Sequence, residues 1–229
     1  MSHHSVEDLL FYVGKVAERL AAIDALAGTS GNISLRADTY PLEEFPAAGR
    51  REPSDHALAR AFPSLAGKRF LITGSGKNLR YISDRPHACL ALIEMLEGGY
   101  RILWGLEPGE TITSEHPAHL LTYCARPAVS AFIHAQPTSI NVFTRLFRSE
   151  ESLNRLLSVQ HEQLRSFAPT GIGLVDAMRH GSYELGEAVA KSLGEHDICA
   201  VVRHGTFSVG EGPIVKALNL ACDLQEYYH

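Results

Sequence analysis

The stretch from Thr113 to Ser139, TSEHPAHLLTYCARPAVSAFIHAQPTS, constrains this chain most, because it sets a carboxylate, imidazoles and a carboxamide at the two ends of one helix-to-strand unit. Ser114 is suited to cap a helix whose first turn holds Glu115, His116 and Pro117, since a short polar side chain accepts from an unpaired N–H there and proline is tolerated in that turn. Leu120, Leu121 and Cys124 supply its apolar positions, and Arg126-Pro127 ends it. Ala128-Val129-Ser130-Ala131-Phe132-Ile133 is short and apolar enough for a buried strand, whose two-residue period carries His134 and Gln136 onto one face.

Around this unit the chain alternates helical and extended patterns, which predicts an α/β architecture in one domain over residues 1–229. Ser5 and Asp8 form a capping-box pattern before an amphipathic helix through Leu9, Leu10, Val13, Val16, Ala17 and Leu20. Gly28-Thr29-Ser30-Gly31-Asn32 breaks that helix and delivers a strand, Ile33–Arg36. Two readings of the turn stand: a cradle in which backbone N–H groups and Asn32 meet an anion, or a plain helix-to-strand turn. The polar segment from Asp38 to Lys68 reads as a long surface excursion with a short helix through Asp55–Phe62. Arg69–Thr73 is a strand that delivers Gly74-Ser75-Gly76-Lys77, a turn able to hold phosphate but lacking Walker spacing. Cys89–Leu96 and Tyr100–Trp104 flank a glycine turn as a hairpin. Beyond the central unit, Asn141–Arg148, Glu150–Ser166, Ser182–Leu193 and Ile214–Tyr228 read as helices. Residues 171–175, Asp197–Arg203 and Thr206–Val209 read as strands.

A formal net charge of −5 with no block of Lys or Arg argues against a nucleic-acid footprint or a polybasic membrane patch. No leader pattern opens MSHHSVEDLL, and no apolar run reaches the roughly 20 residues that span a bilayer, so a cytoplasmic protein with a small-molecule partner is expected. The four cysteines are widely spaced and read as reduced core residues. Of twelve histidines, His134 and His204 stand apart: each ends an apolar strand, and with Glu115 they offer the N/O donors of a catalytic divalent-metal site. Scattered structural histidines are the competing reading.

Six motifs then occur in order: TSGNIS at Thr29–Ser34, TGSGK at Thr73–Lys77, YRILWGL at Tyr100–Leu106, TSEHPAH at Thr113–His119, IHAQPTS at Ile133–Ser139 and RHG at Arg203–Gly205. Together they resemble the class II aldolase/adducin family, from the first helix almost to the C-terminus. The resemblance implies helices flanking a central sheet, mostly antiparallel or mixed. It implies Glu115 as acid/base, His134 and His204 as zinc ligands, and a substrate-phosphate site at Asn32, Ser75, Gly76, Thr113 and Ser114. In the rhamnulose-phosphate branch a second glutamate handles the aldehyde oxygen, and Glu162 is its counterpart after a one-residue shift.

The implied activity is that of a lyase cleaving a ketose 1-phosphate to dihydroxyacetone phosphate and an aldehyde, with Zn²⁺, Mn²⁺ or Mg²⁺ as cofactor and a homotetramer as the assembly. A sugar-phosphate epimerase or dehydratase, or a non-catalytic adducin-like binding module, is the alternative. One departure matters: where the family has His-x-His, this chain has His134-Ala135-Gln136. Either Gln136 binds the metal through its oxygen, or His161, His180 or His116 substitutes, or the site is weakened.

Overall fold

A computed structural model of the chain describes residues 5–147, 149–160 and 168–227. The helix α1 (Val6–Ala22) is capped as its sequence predicts: Ser5 Oγ accepts from the Asp8 N–H, and the Asp8 carboxylate accepts from the Ser5 N–H. Strands β1 (Asn32–Arg36), β2 (Arg50–Ala57), β3 (Arg69–Thr73), β4 (Leu90–Leu96) and β5 (Gly99–Gly105) follow, with the short helix α2 (Pro86–Cys89) before β4. The central unit is helix α3 (His116–Ala125) and strand β6 (Val129–Ala135). Helices α4 (Thr138–Leu146) and α5 (Glu150–Gln160) lead to strand β7 (Ile172–Val175), helix α6 (Tyr183–Ser192), strands β8 (Ile198–Val201) and β9 (Gly205–Glu211), and helix α7 (Ile214–Tyr227). The hairpin expected over Cys89–Trp104 is β4–β5, in which Leu96 pairs with Gly99.

The nine strands found among the described residues join one sheet in the order β2-β5-β4-β3-β1-β6-β9-β8-β7. Every pairing is antiparallel except β7 with β8, so the sheet is mixed and mostly antiparallel, as the family resemblance implies. Alternation along the central strands divides the core between two faces. Ile33, Leu35, Ile133 and Ala135 pack with α1 and α7 on one side, while Phe70, Phe132, Phe207 and Val209 pack with α3 and α6 on the other. Asn32, Ser34 and His134 therefore face the α3 side. The four cysteines are free, and among the described residues no helix is long and apolar enough to cross a membrane.

Two expectations are corrected. The helix expected over Asp55–Phe62 is replaced at its start by strand β2, which pairs only with β5 at the edge of the sheet. An edge strand with both faces largely wet needs no apolar alternation, and Pro53 sits at a register shift where the ladder does not require its missing N–H. Ser114 is not the cap of α3; Glu115 occupies that position. Thr113 makes the local turn instead, its Oγ1 accepting from the Glu115 N–H at 3.2 Å and its carbonyl from the His116 N–H at 3.1 Å.

Candidate functional site

Strand β1 begins beside the end of β6, with Asn32 paired in register to His134. The glycine before it makes that approach possible: Gly31 has φ +82°, and a Cβ there would stand 2.6 Å from Leu26 Cδ2 and 3.0 Å from the His134 carbonyl. The loop after β3 is tied to the segment before α3 by Ser75 N–H to Thr111 O at 2.8 Å and Thr113 N–H to Thr73 O at 2.9 Å. These two loops, the start of α3 and the end of β6 enclose a cavity of about 250 Å³. It is lined by Asn32, Gly76, Thr113, Ser114, Glu115, His134 and Gln136, together with Gly74 and the Thr29-Ser30-Gly31 turn.

His134 is held in one orientation, because its Nδ1 donates to the Thr206 carbonyl at 2.9 Å and Phe207 stacks on its ring at 4.2 Å between centroids. That leaves the Nε2 lone pair available to an ion or a hydrogen-bond donor in the cavity. His204 sits in the tight β8–β9 turn, where Arg203 has φ +64° and Gly205 is packed so that a Cβ would lie 2.3 Å from the Ala135 carbonyl. Its ring centre is 4.9 Å from that of His134. Burial lowers the pKa of His134 to about 3 and that of His204 to about 4, each helped by a neighbouring imidazole, so both rings are neutral at physiological pH.

Glu115 completes the group. One carboxylate oxygen lies 3.6 Å from His204 Nε2. Burial raises its pKa, while the Gly181 N–H and the nearby His180 work in the opposite direction. The carboxyl is thus dry enough to hold a proton more readily than an exposed glutamate, and its position is fixed by the backbone ahead of α6.

Not every expected residue joins the cavity. Ser75 is exposed and absent from the lining, and its N–H is taken by Thr111. His116 points its Nδ1 at the Thr113 carbonyl, 3.1 Å away, and its ring edge toward Tyr183. His180 is exposed, with its ring 6.4 Å from His204. Glu162 and His161 lie outside the described residues. Among the described residues no group of three or more His, Cys, Asp or Glu side chains is disposed to hold a metal ion. His134 and Gln136 line the cavity, whereas His204 is not part of the lining and stands beside His134; two neutral imidazoles and a carboxamide make a donor set that suits a divalent cation. Sequence reading misses Gly181 and His119; the latter sits four positions after Glu115, the spacing that places two residues on one helix face.

Known proteins resemble this chain over most of its length. The rhamnulose-1-phosphate aldolase of Enterobacter sp. (strain 638) is 31% identical over 191 residues, covering 80% of this chain and 68% of the relative. That of Salmonella heidelberg (strain SL476) is 33% identical over 192 residues, covering 80% and 69%. A sugar-phosphate aldolase from Thermotoga maritima superposes with a TM-score of 0.77 at 24% identity, over 97% of this chain and 92% of that one, and so shares the fold. Residues 13–229 match the model of the class II aldolase and adducin N-terminal domain, and with its curated relatives being aldolases the chain belongs to that family, as an enzyme of the lyase class.

Proposed function

We propose that the chain is a divalent-metal-dependent aldolase that cleaves a ketose 1-phosphate of the rhamnulose 1-phosphate kind into dihydroxyacetone phosphate and an aldehyde. The observation that carries this reading is the placement of Glu115, a buried carboxyl of raised proton affinity, 3.6 Å from the His204 imidazole and on the wall of a cavity it shares with His134, Asn32, Thr113 and Ser114. Asn32, Gly76, Thr113 and Ser114 hold the phosphate at that rim, which fixes the reacting carbons at the other end. His134, His204 and the oxygen of Gln136 would hold a divalent ion, which would supply positive charge where oxyanion character develops. As the bond between the third and fourth carbons breaks, the hydroxyl of the fourth carbon gives up its proton, with Glu162 the proposed acceptor, and that carbon becomes the aldehyde; the electron pair of the bond stays on the phosphate-bearing fragment, and Glu115, protonated beforehand, delivers its proton to the third carbon to release dihydroxyacetone phosphate. The proposed assembly is a homotetramer, and Glu162 is proposed to act on the aldehyde oxygen.

The test is incubation of the purified protein and Zn²⁺, Mn²⁺ or Mg²⁺ with rhamnulose 1-phosphate, following dihydroxyacetone phosphate by enzymatic coupling and the aldehyde by chromatography. Both products in equal amounts are expected; an epimerised or dehydrated sugar phosphate, or no turnover with any of the three ions, overturns the reading. Gln136 in place of an imidazole favours one second reading, a non-catalytic binding module. Metal analysis separates the two, since that module would be isolated without a divalent ion and bind none on titration.

A further inference from the structure

Beneath the cavity lies a buried polar chain. His119 is fully buried and both its ring nitrogens are engaged, Nε2 at 2.5 Å from Asn32 Oδ1 and Nδ1 at 2.7 Å from Ser34 Oγ. The Tyr123 hydroxyl is 3.0 Å from Ser34 Oγ and donates to the Ser34 carbonyl at 3.0 Å. Asn32 and Ser34 share one face of β1, while His119 and Tyr123 share one face of α3, so helix and strand are clasped by side chains at matching periods. A carboxamide oxygen only accepts. The ring therefore carries its proton on Nε2, and Nδ1 accepts from the Ser34 hydroxyl. Burial holds the imidazole neutral, with one donor and one acceptor, each matched.

We propose that His119 is a positioning residue which, by drawing Asn32 Oδ1 inward, turns the Asn32 Nδ2 donor toward the cavity to meet the phosphate of the substrate. This rests on the reading of the cavity rim as a phosphate site. The amide of an asparagine is nearly symmetric in shape, so packing alone does not choose between its oxygen and its nitrogen. The choice matters at an anion: Nδ2 makes a charge-assisted hydrogen bond, whereas Oδ1 would present a lone pair to a negative oxygen. His119 makes that choice from inside the protein, and the Ser34 hydroxyl supports it by donating to Nδ1. One helix thus presents the Glu115 carboxylate at its start and orients a phosphate donor one turn later.

The experiment is a double-mutant cycle on the full chain, with binding of inorganic phosphate read by calorimetry and kcat and KM read on the phosphorylated ketose. His119→Phe keeps a buried ring and removes the Nε2 proton; we expect phosphate affinity to fall about tenfold, with KM rising more than kcat falls. In an Asn32→Ala background the same change is expected to cost no further affinity, because His119 acts through Asn32. His119→Gln, which restores a donor toward Asn32 and an acceptor toward Ser34, is expected to recover part of the loss. Should His119→Phe not fold, the cycle runs with Ser34→Ala, which frees the tautomer and is expected to weaken phosphate binding only when Asn32 is present. Equal losses with and without Asn32, or unchanged phosphate affinity in the His119 and Ser34 variants, overturn the assignment alone. A folded wild type that binds no phosphate overturns the phosphate reading and this assignment with it.

Discussion

The Glu115 carboxylate lies 3.6 Å from Nε2 of His204, and both side chains are about nine-tenths buried. Two groups that can form an ion pair at such a distance are held here in surroundings that disfavour the charged form of each, since burial raises the pKa of Glu115 and lowers that of His204. The contact is one between a neutral imidazole and a carboxyl that binds protons readily.

Glu115→Gln removes that proton acceptor at nearly constant shape. Turnover is expected to fall by about 10² to 10⁴-fold, the range of a lost general acid/base, with metal content and circular dichroism unchanged. Activity within a few-fold of wild type would assign the proton transfer elsewhere.

Gln136 lies one residue beyond the end of β6 and lines the cavity with His134. Gln136→His is expected to tighten zinc binding by at least about tenfold, because imidazole is a better zinc ligand than a carboxamide oxygen. Calorimetric titration of Zn²⁺ and Mn²⁺ into both forms checks it. An unchanged zinc affinity would place the third ligand at another residue.

Asn32 is buried at the cavity rim, whereas Ser75 is exposed and off the lining. Asn32→Ala should therefore raise KM for a phosphorylated ketose by about tenfold, the effect of one lost hydrogen bond to a charged group, and Ser75→Ala by much less. Steady-state kinetics on phosphorylated and unphosphorylated substrates separates the two; equal losses on both substrates would mean that Asn32 serves the fold only.

Stability of the metal-free protein should fall with acid. The folded pKa values of His134 and His204, about 3 and about 4, lie below the value near 6.5 of the unfolded chain. As pH drops below about 6.5 the unfolded state takes up protons that the folded state refuses, so the stability present above that pH is lost progressively down to the folded values. Each such histidine steepens the decline by up to about 1.4 kcal/mol per pH unit. Denaturant melts between pH 7 and pH 5 should show the midpoint falling, and His204→Gln should flatten the slope. A midpoint independent of pH would mean that these rings are solvated.

Gly205→Ala is expected to destabilise the fold by about 2 kcal/mol or more, since a Cβ would stand 2.3 Å from the Ala135 carbonyl and 3.1 Å from His134 Cε1. Urea unfolding reads the loss directly. A change below about 0.5 kcal/mol would show that the turn relaxes.

What the sequence reveals here depends on how local the cause is. The α3–β6 unit is legible because apolar residues repeat at helical spacing through Leu120 and run continuously into Ile133, and because caps and turns act within a few residues. Strand β2 is not, because Arg50 to Ala57 owes its extended form to hydrogen bonds from β5 and not to its own apolar pattern. The convergence of Asn32, Glu115 and His134 follows from the ordered motifs and the resemblance they carry. The role of His119 stays hidden: its spacing from Glu115 puts the two on one helix face, but the partners that give it a role, Asn32 and Ser34, lie more than eighty positions away in the chain.

The strand order has a kinetic consequence. β1 is paired not with its sequence neighbour but with β3 and β6, and His119 meets Asn32 across 87 positions of chain. Every such pairing must first close a long loop, an entropic barrier that grows with loop length and slows folding of sheets built from distant segments. The cavity, lying at the central seam where β1 meets β6, can exist only once that closure is complete. Recovery of phosphate binding during refolding is therefore expected to follow the formation of the sheet and to lag behind that of helix α1.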